Sequence, residues 1–154
     1  MGKISIYENK ILALSNVLSI EVNGDTPDPF NRTANLMENF ARTMNCRGIG
    51  PHIQRVHTHV SNSGAVSVKI ELLRQIDEPI KVRQPYSFEE NITLNNCILS
   101  RYEGPEEKIS FGMQKLFIYA FEKNITLTLT TYTVYVNCAN GLMVADIFVE
   151  KKND

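Results

Sequence analysis

The sequence predicts an α+β fold in which a strand-helix-strand-strand unit occurs twice, forming one antiparallel sheet of about six strands with two helices on one face. Three observations point there. Two segments carry apolar residues at helical spacing. Each is followed by two β-rich runs joined by a turn. The last runs of the two halves also align, Ile70-Glu71-Leu72 on Ala145-Asp146-Ile147, so an acid falls at the same place in each. An amphipathic helix on about three strands leaves a sheet edge open, and joining the halves removes that liability.

In chain order, Ile11 to Val22 is rich in Ile, Leu and Val and ends at the turn Asn23-Gly24-Asp25. Asp28 and Pro29 read as an N-cap followed by the first helical position, where a missing N–H has no cost. Phe30, Ala34, Met37, Phe40, Ala41 and Met44 then make one apolar stripe ending near Asn45. His52 to Val60 and Val66 to Ile76 follow as strands around the turn Ser61-Asn62-Ser63-Gly64. In the second of these Val68, Ile70 and Leu72 alternate with Ser67, Lys69 and Glu71, the period of a half-buried strand.

The polar, proline-bearing stretch 78–90 reads as a connector between a first repeat of about 10–77 and a second of about 91–152. The second repeat opens with a strand from Asn96 to Tyr102. Its helix is expected to begin at Pro105, with Glu106 and Glu107 at the positive helix end and Ile109, Met113, Leu116, Phe117 and Ala120 as the stripe. Gly112 inside that helix reads as a tolerated surface glycine or as a point of close approach. Ile125 to Asn137, in which seven of thirteen residues are Thr or Tyr, and Leu142 to Glu150 complete the order around Ala139-Asn140-Gly141.

Composition narrows the function classes. At 154 residues the chain fits one domain, 1–154. With 16 basic and 17 acidic residues it lacks the basic excess of a protein that holds nucleic acid directly. No run approaches the ~20 apolar residues of a membrane span, and no secretory leader pattern is present. Cys46, Cys97 and Cys138 have neither disulfide-framework nor zinc spacing, so they read as reduced thiols of a cytoplasmic protein. No phosphate-binding loop, nucleophile elbow or zinc-protease motif occurs, so neither a cofactor nor catalytic residues are expected.

Tyr102-Glu103-Gly104-Pro105-Glu106-Glu107-Lys108-Ile109, then Leu116 and Tyr119-Ala120, resemble a signature of the GyrI-like effector-binding superfamily. So do Tyr132-Thr133-Val134-Tyr135, Asp146-Ile147-Phe148-Val149 and, after the first helix, Gly48-Ile49-Gly50-Pro51. The resemblance runs over nearly the whole chain. It implies a groove between the halves that takes small molecules, lipophilic cations among them, on a buried carboxylate and aromatics. Many members are fused to the DNA-binding domains of transcription activators; this chain resembles a stand-alone one. Some stand-alone relatives hydrolyse electrophiles with a tyrosine, a carboxylate and a tryptophan, and this sequence has no tryptophan.

The candidate ligand-binding residues are Glu71, Asp146, Tyr102 and Tyr132. Glu71 and Asp146 each interrupt an apolar strand, so each faces either solvent or a groove in which a ligand ammonium compensates the charge. Tyr102 and Tyr132 fall where the resemblance places groove tyrosines; the alternative for each is packing. His57 and His59 share a strand face and could give two metal ligands, or be two polar residues on an exposed face. The expected partner is a small organic ligand or, if the scaffold has lost that site, another protein for which it serves as an adaptor or chaperone-like surface.

Overall fold

The computed structural model describes residues 2–152; residues 1, 153 and 154 of the expected domain lie outside the described ones. Six strands and two helices appear in the order β1 (Lys3–Glu21), α1 (Pro29–Thr43), β2 (Gly48–Val60), β3 (Val66–Ile76), β4 (Tyr86–Pro105), α2 (Ser110–Glu122), β5 (Leu127–Ala139) and β6 (Leu142–Lys151). They make one antiparallel six-stranded sheet with two helices, the α+β class expected. The chain parts into two compact units: a central unit, Ala13–Thr93, and a terminal unit that combines the residues up to Leu12 with those from Leu94 onward.

In the central unit β3 lies between β1 and β2, with Ile20 opposite Leu72 on one side and Val56 opposite Ile70 on the other. Met37 and Ala41 of α1 are buried against Leu18, Ile20, Leu72 and Ile76. Phe40 stacks on Tyr86 at 4.0 Å, which ties the start of β4 to the helix. Pro29 opens α1 as expected, but Asp28 does not bond a helix N–H. It adopts a left-handed conformation, φ 47°, and its carboxylate accepts from the Asn31 side-chain amide. The helix ends at Thr43 because Asn45 takes the left-handed φ of 58° that reverses the chain.

In the terminal unit β6 is central, paired with β4 and β5. Leu116 and Ala120 of α2 cover Ile98, Ile147 and Val149. The helix does not begin at Pro105. That proline still pairs with Leu142 at the end of β4, and a 3-10 turn over Glu106–Lys108 leads into α2 at Ser110. Gly112 is a point of close approach. A Cβ there would lie 3.2 Å from both Tyr102 Cβ and Ile147 Cδ1, and the Ser100 hydroxyl donates to the Gly112 carbonyl at 2.8 Å.

Candidate functional site

Strand alternation decides where the acids point. On β3 Leu72 and Ile76 face α1, so Glu71 and Leu73 occupy the opposite face, and Glu71 is only 6% exposed. Its cross-strand neighbours are Glu21 on β1 and Arg55 on β2. Arg55, itself buried, donates from Nε to Glu71 Oε1 at 3.0 Å and from a terminal nitrogen to Oε2 at 3.2 Å. That guanidinium also lies 3.0 Å from Glu89 Oε1, and His57 Nε2 lies 3.0 Å from Glu71 Oε1. Burial works to raise the Glu71 pKa. The Arg55 hydrogen bond, with the charges of Arg55, Lys69 and His57, outweighs burial and leaves the carboxyl below its ordinary range.

Asp146 lies on β6, the middle strand of the terminal unit, between Arg101 of β4 and Val134 of β5. It is 8% exposed, and Arg101 grips it through two 2.7 Å hydrogen bonds. Both central strands therefore carry a buried carboxylate closed by a bidentate arginine. The arginines come from opposite sides: Arg55 is on the strand corresponding to the one that carries Val134, and Arg101 on the strand corresponding to the one that carries Glu21. They also differ in freedom, since the Arg55 side chain is 9% exposed and that of Arg101 44%.

Tyr132 is buried on the same face as Asp146, because it pairs with Phe148, two residues along β6. Tyr102 lies on the other face. It pairs with Ala145, packs with Met143 and Ile109, and donates its hydroxyl to the Pro105 carbonyl. The terminal unit thus brings Tyr132 to Asp146 and separates Tyr102 from it; Glu71 belongs to the central unit. His59 is exposed opposite Ser67, while His57 is engaged with Glu71. Among the described residues no three His, Cys, Asp or Glu gather as a metal-ligand set.

Arg55 and Arg101 are the polar residues that sequence reasoning missed. Arg55 had a signal. Counting outward from the Ser61–Gly64 turn puts 55 opposite 71, as the register shows. Arg101 had none, because β4 and β6 are not joined by a tight turn. Cavities open in both units among the described residues. One of about 240 Å³ lies in the central unit at the end of α1, and one of about 470 Å³ lies in the terminal unit by Lys3, Glu103 and Leu142. Neither is lined by Glu71, Tyr102, Tyr132 or Asp146.

No helix among the described residues is long and apolar enough to cross a membrane. No protein-family profile matches the chain, and no curated protein matches it. Solved structures do. EcmrR, in a DNA complex, matches with a TM-score of 0.64 at 14% identity, covering 98% of this chain and 58% of its own. SAV2435, bound to tetraphenylphosphonium, matches with a TM-score of 0.55 at 9% identity, covering 98% of this chain and 94% of its own. This chain thus spans a little over half the length of the EcmrR chain, and it shares a fold with both proteins.

Proposed function

We propose that this chain is a cytoplasmic, non-enzymatic small-molecule-binding module of the GyrI-like superfamily, and that lipophilic cations are among its ligands. The observation that carries the reading is that buried Asp146 and buried Tyr132 share one sheet face on neighbouring strands, Asp146 opposite Val134 and Tyr132 opposite Phe148. A carboxylate beside an aromatic ring is what a bulky cation uses: charge attraction together with ring contacts of about 0.5–2 kcal/mol each. The likeness to SAV2435, whose structure holds tetraphenylphosphonium, supports the same class of ligand. Three free thiols fit a reducing compartment.

In this reading Arg101 is the resident counter-ion of Asp146, and its half-exposed side chain swings aside when a cation arrives. Glu71, locked by buried Arg55, is the corresponding acid of the central unit. Tyr102 contributes by fixing β4 from beneath α2.

Calorimetric titration with tetraphenylphosphonium tests this directly. Asp146→Asn and Tyr132→Leu are expected to weaken binding, the first by about tenfold, equivalent to ~1.4 kcal/mol. Arg101→Met is expected to tighten it, because a competing cation is gone. Absence of saturable binding by the unmodified chain, or weaker binding in Arg101→Met, overturns the reading.

One observation favours a protein-interaction role instead. Phe111, Phe117, Ile118 and Phe121 of α2 are between 45% and 83% exposed, an apolar surface of the kind that marks contact sites. If a partner uses it, Phe117→Ser with Phe121→Ser abolishes capture of that partner and leaves tetraphenylphosphonium titrations unchanged.

A further inference from the structure

The helix-facing side of the central unit carries a charged residue within its apolar pattern. Arg74 lies on β3 between Leu72 and Ile76, on the face that α1 covers. Its Nε is buried without a hydrogen-bond partner, and no ion pair reaches Arg74 among the described residues. Gly48 makes the room for it: a Cβ at position 48 would stand 2.5 Å from Arg74 Nε and 2.6 Å from Cζ. A guanidinium in such a place is costly unless something pairs with it.

Beside Arg74 opens the cavity of about 240 Å³. Its apolar lining is Leu18, Met37, Ala41 and Ile76, and Arg42 and Arg47 also border it. Two of the acids nearby are already paired, and a third, Glu78, lies near enough for its charge to act on Cys46 at the cavity wall. Glu38 lies 3.5 Å from Arg42, and Asp77 lies 3.8 Å from Arg47 while also accepting its backbone N–H at 2.9 Å. Burial, and then the charge of Arg74, push His52 below its ordinary pKa. Among the described residues Arg74 is the arginine at this apolar hollow that no acid reaches as an ion pair.

We propose that this cavity binds a small amphiphilic anion, a short-chain aliphatic carboxylate, with its carboxylate on Arg74 and its hydrocarbon against Leu18, Met37 and Ile76. At ~30 Å³ per water-sized group the space holds about eight such groups, the size of hexanoate. Arginine suits the head because its fork matches both carboxylate oxygens. The site lies within the central unit and selects the charge opposite to that of a lipophilic cation, so it stands or fails separately from the cation reading.

Hexanoate titrated into the full chain labelled with ¹³C-methyl methionine tests it. The Met37 methyl is expected to shift saturably, with a Kd in the ~1 mM range, while Met113 and Met143 of the terminal unit stay in place. Hexanol and hexylammonium are expected to bind at least about tenfold more weakly. Arg74→Met keeps the bulk, removes the charge, and is expected to lose hexanoate binding by a similar factor. Gly48→Ala, which pushes the guanidinium aside, is expected to weaken binding too, and decides the matter if Arg74→Met does not fold. No saturable shift at Met37, equal binding of hexanol, or unchanged binding in the folded variants overturns the proposal.

Discussion

Glu71 and Arg55 are both buried and hydrogen-bond each other, so removing Arg55 takes two charge-assisted bonds from Glu71 and leaves its His57 contact, and removing Glu71 leaves Arg55 with Glu89. Breaking such a pair costs about 3–5 kcal/mol, whereas replacing both members by apolar groups is often neutral. Because Glu71 keeps His57, Arg55→Met is expected to lower the unfolding free energy by up to about 3 kcal/mol in urea melts, and Arg55→Met with Glu71→Leu to recover most of it. The same pair sets a pH dependence. The Glu71 carboxyl binds its proton less readily folded than unfolded, so its contribution is complete above the ordinary 4.5 and is lost as pH falls through the lower folded value. Between about pH 5 and 3 the double variant is expected to lose stability less steeply than the unmodified chain. The acids were legible in the sequence because each interrupts an apolar strand. Their arginine partners were not, because an apolar run says which residue is out of place and nothing of what lies across the sheet. Only hairpin counting could have reached Arg55, and nothing local could have reached Arg101.

Helices and hairpins were legible because their signals are local: turn residues, apolar period and the proline at position 29. The β2–β3 turn and the strand Val66–Ile76 fall where the sequence puts them. The long strands were not legible. β1 starts at Lys3, well before Ile11, and contains two left-handed asparagines, Asn9 and Asn16, which interrupt the alternation on which strand recognition depends. β4 starts at Tyr86, inside the expected connector, where Tyr86 and Phe88 alternate with polar residues and both pack on the α1 core. Gly112 shows how an ambiguous signal resolves at this scale. Alanine there gains up to about 1 kcal/mol of helix propensity. Its Cβ would press at 3.2 Å on Tyr102 Cβ, an atom fixed close to the β4 backbone, and overpacking typically costs about 1–3 kcal/mol. Gly112→Ala is thus expected to destabilise by about 1–2 kcal/mol in thermal or urea melts. A net gain would mean that α2 can lift from the strands beneath it.

Element order repeats along the chain: strand, helix and two strands occur twice, and Glu71 and Asp146 each lie on the middle strand of a three-stranded group. The first stretch of β1, up to Leu12, belongs with the second half of the chain in the terminal unit. The contacts of that stretch are specific. Ile4 packs beside Tyr102 and Met143, and Ile6 beside Ile98 and Leu116. Glu8 accepts from the Tyr119 hydroxyl and pairs with Lys151 at 2.9 Å, while Lys115 donates to the Ile4 carbonyl. A fragment 94–154 lacks all of these, and losing two isoleucines from a small core removes about 1.5–3 kcal/mol for each one that would be fully buried, a large share of a typical total. The fragment is expected to give poorly dispersed amide resonances alone and native-like dispersion once a synthetic peptide of residues 2–12 is added. The same peptide carrying Ile6→Asp is expected not to restore it, since a carboxylate would enter the cluster under α2 without a partner. A folded 94–154 fragment without the peptide would show that α2 and three strand segments bury enough by themselves, and that the N-terminal stretch only decorates their surface.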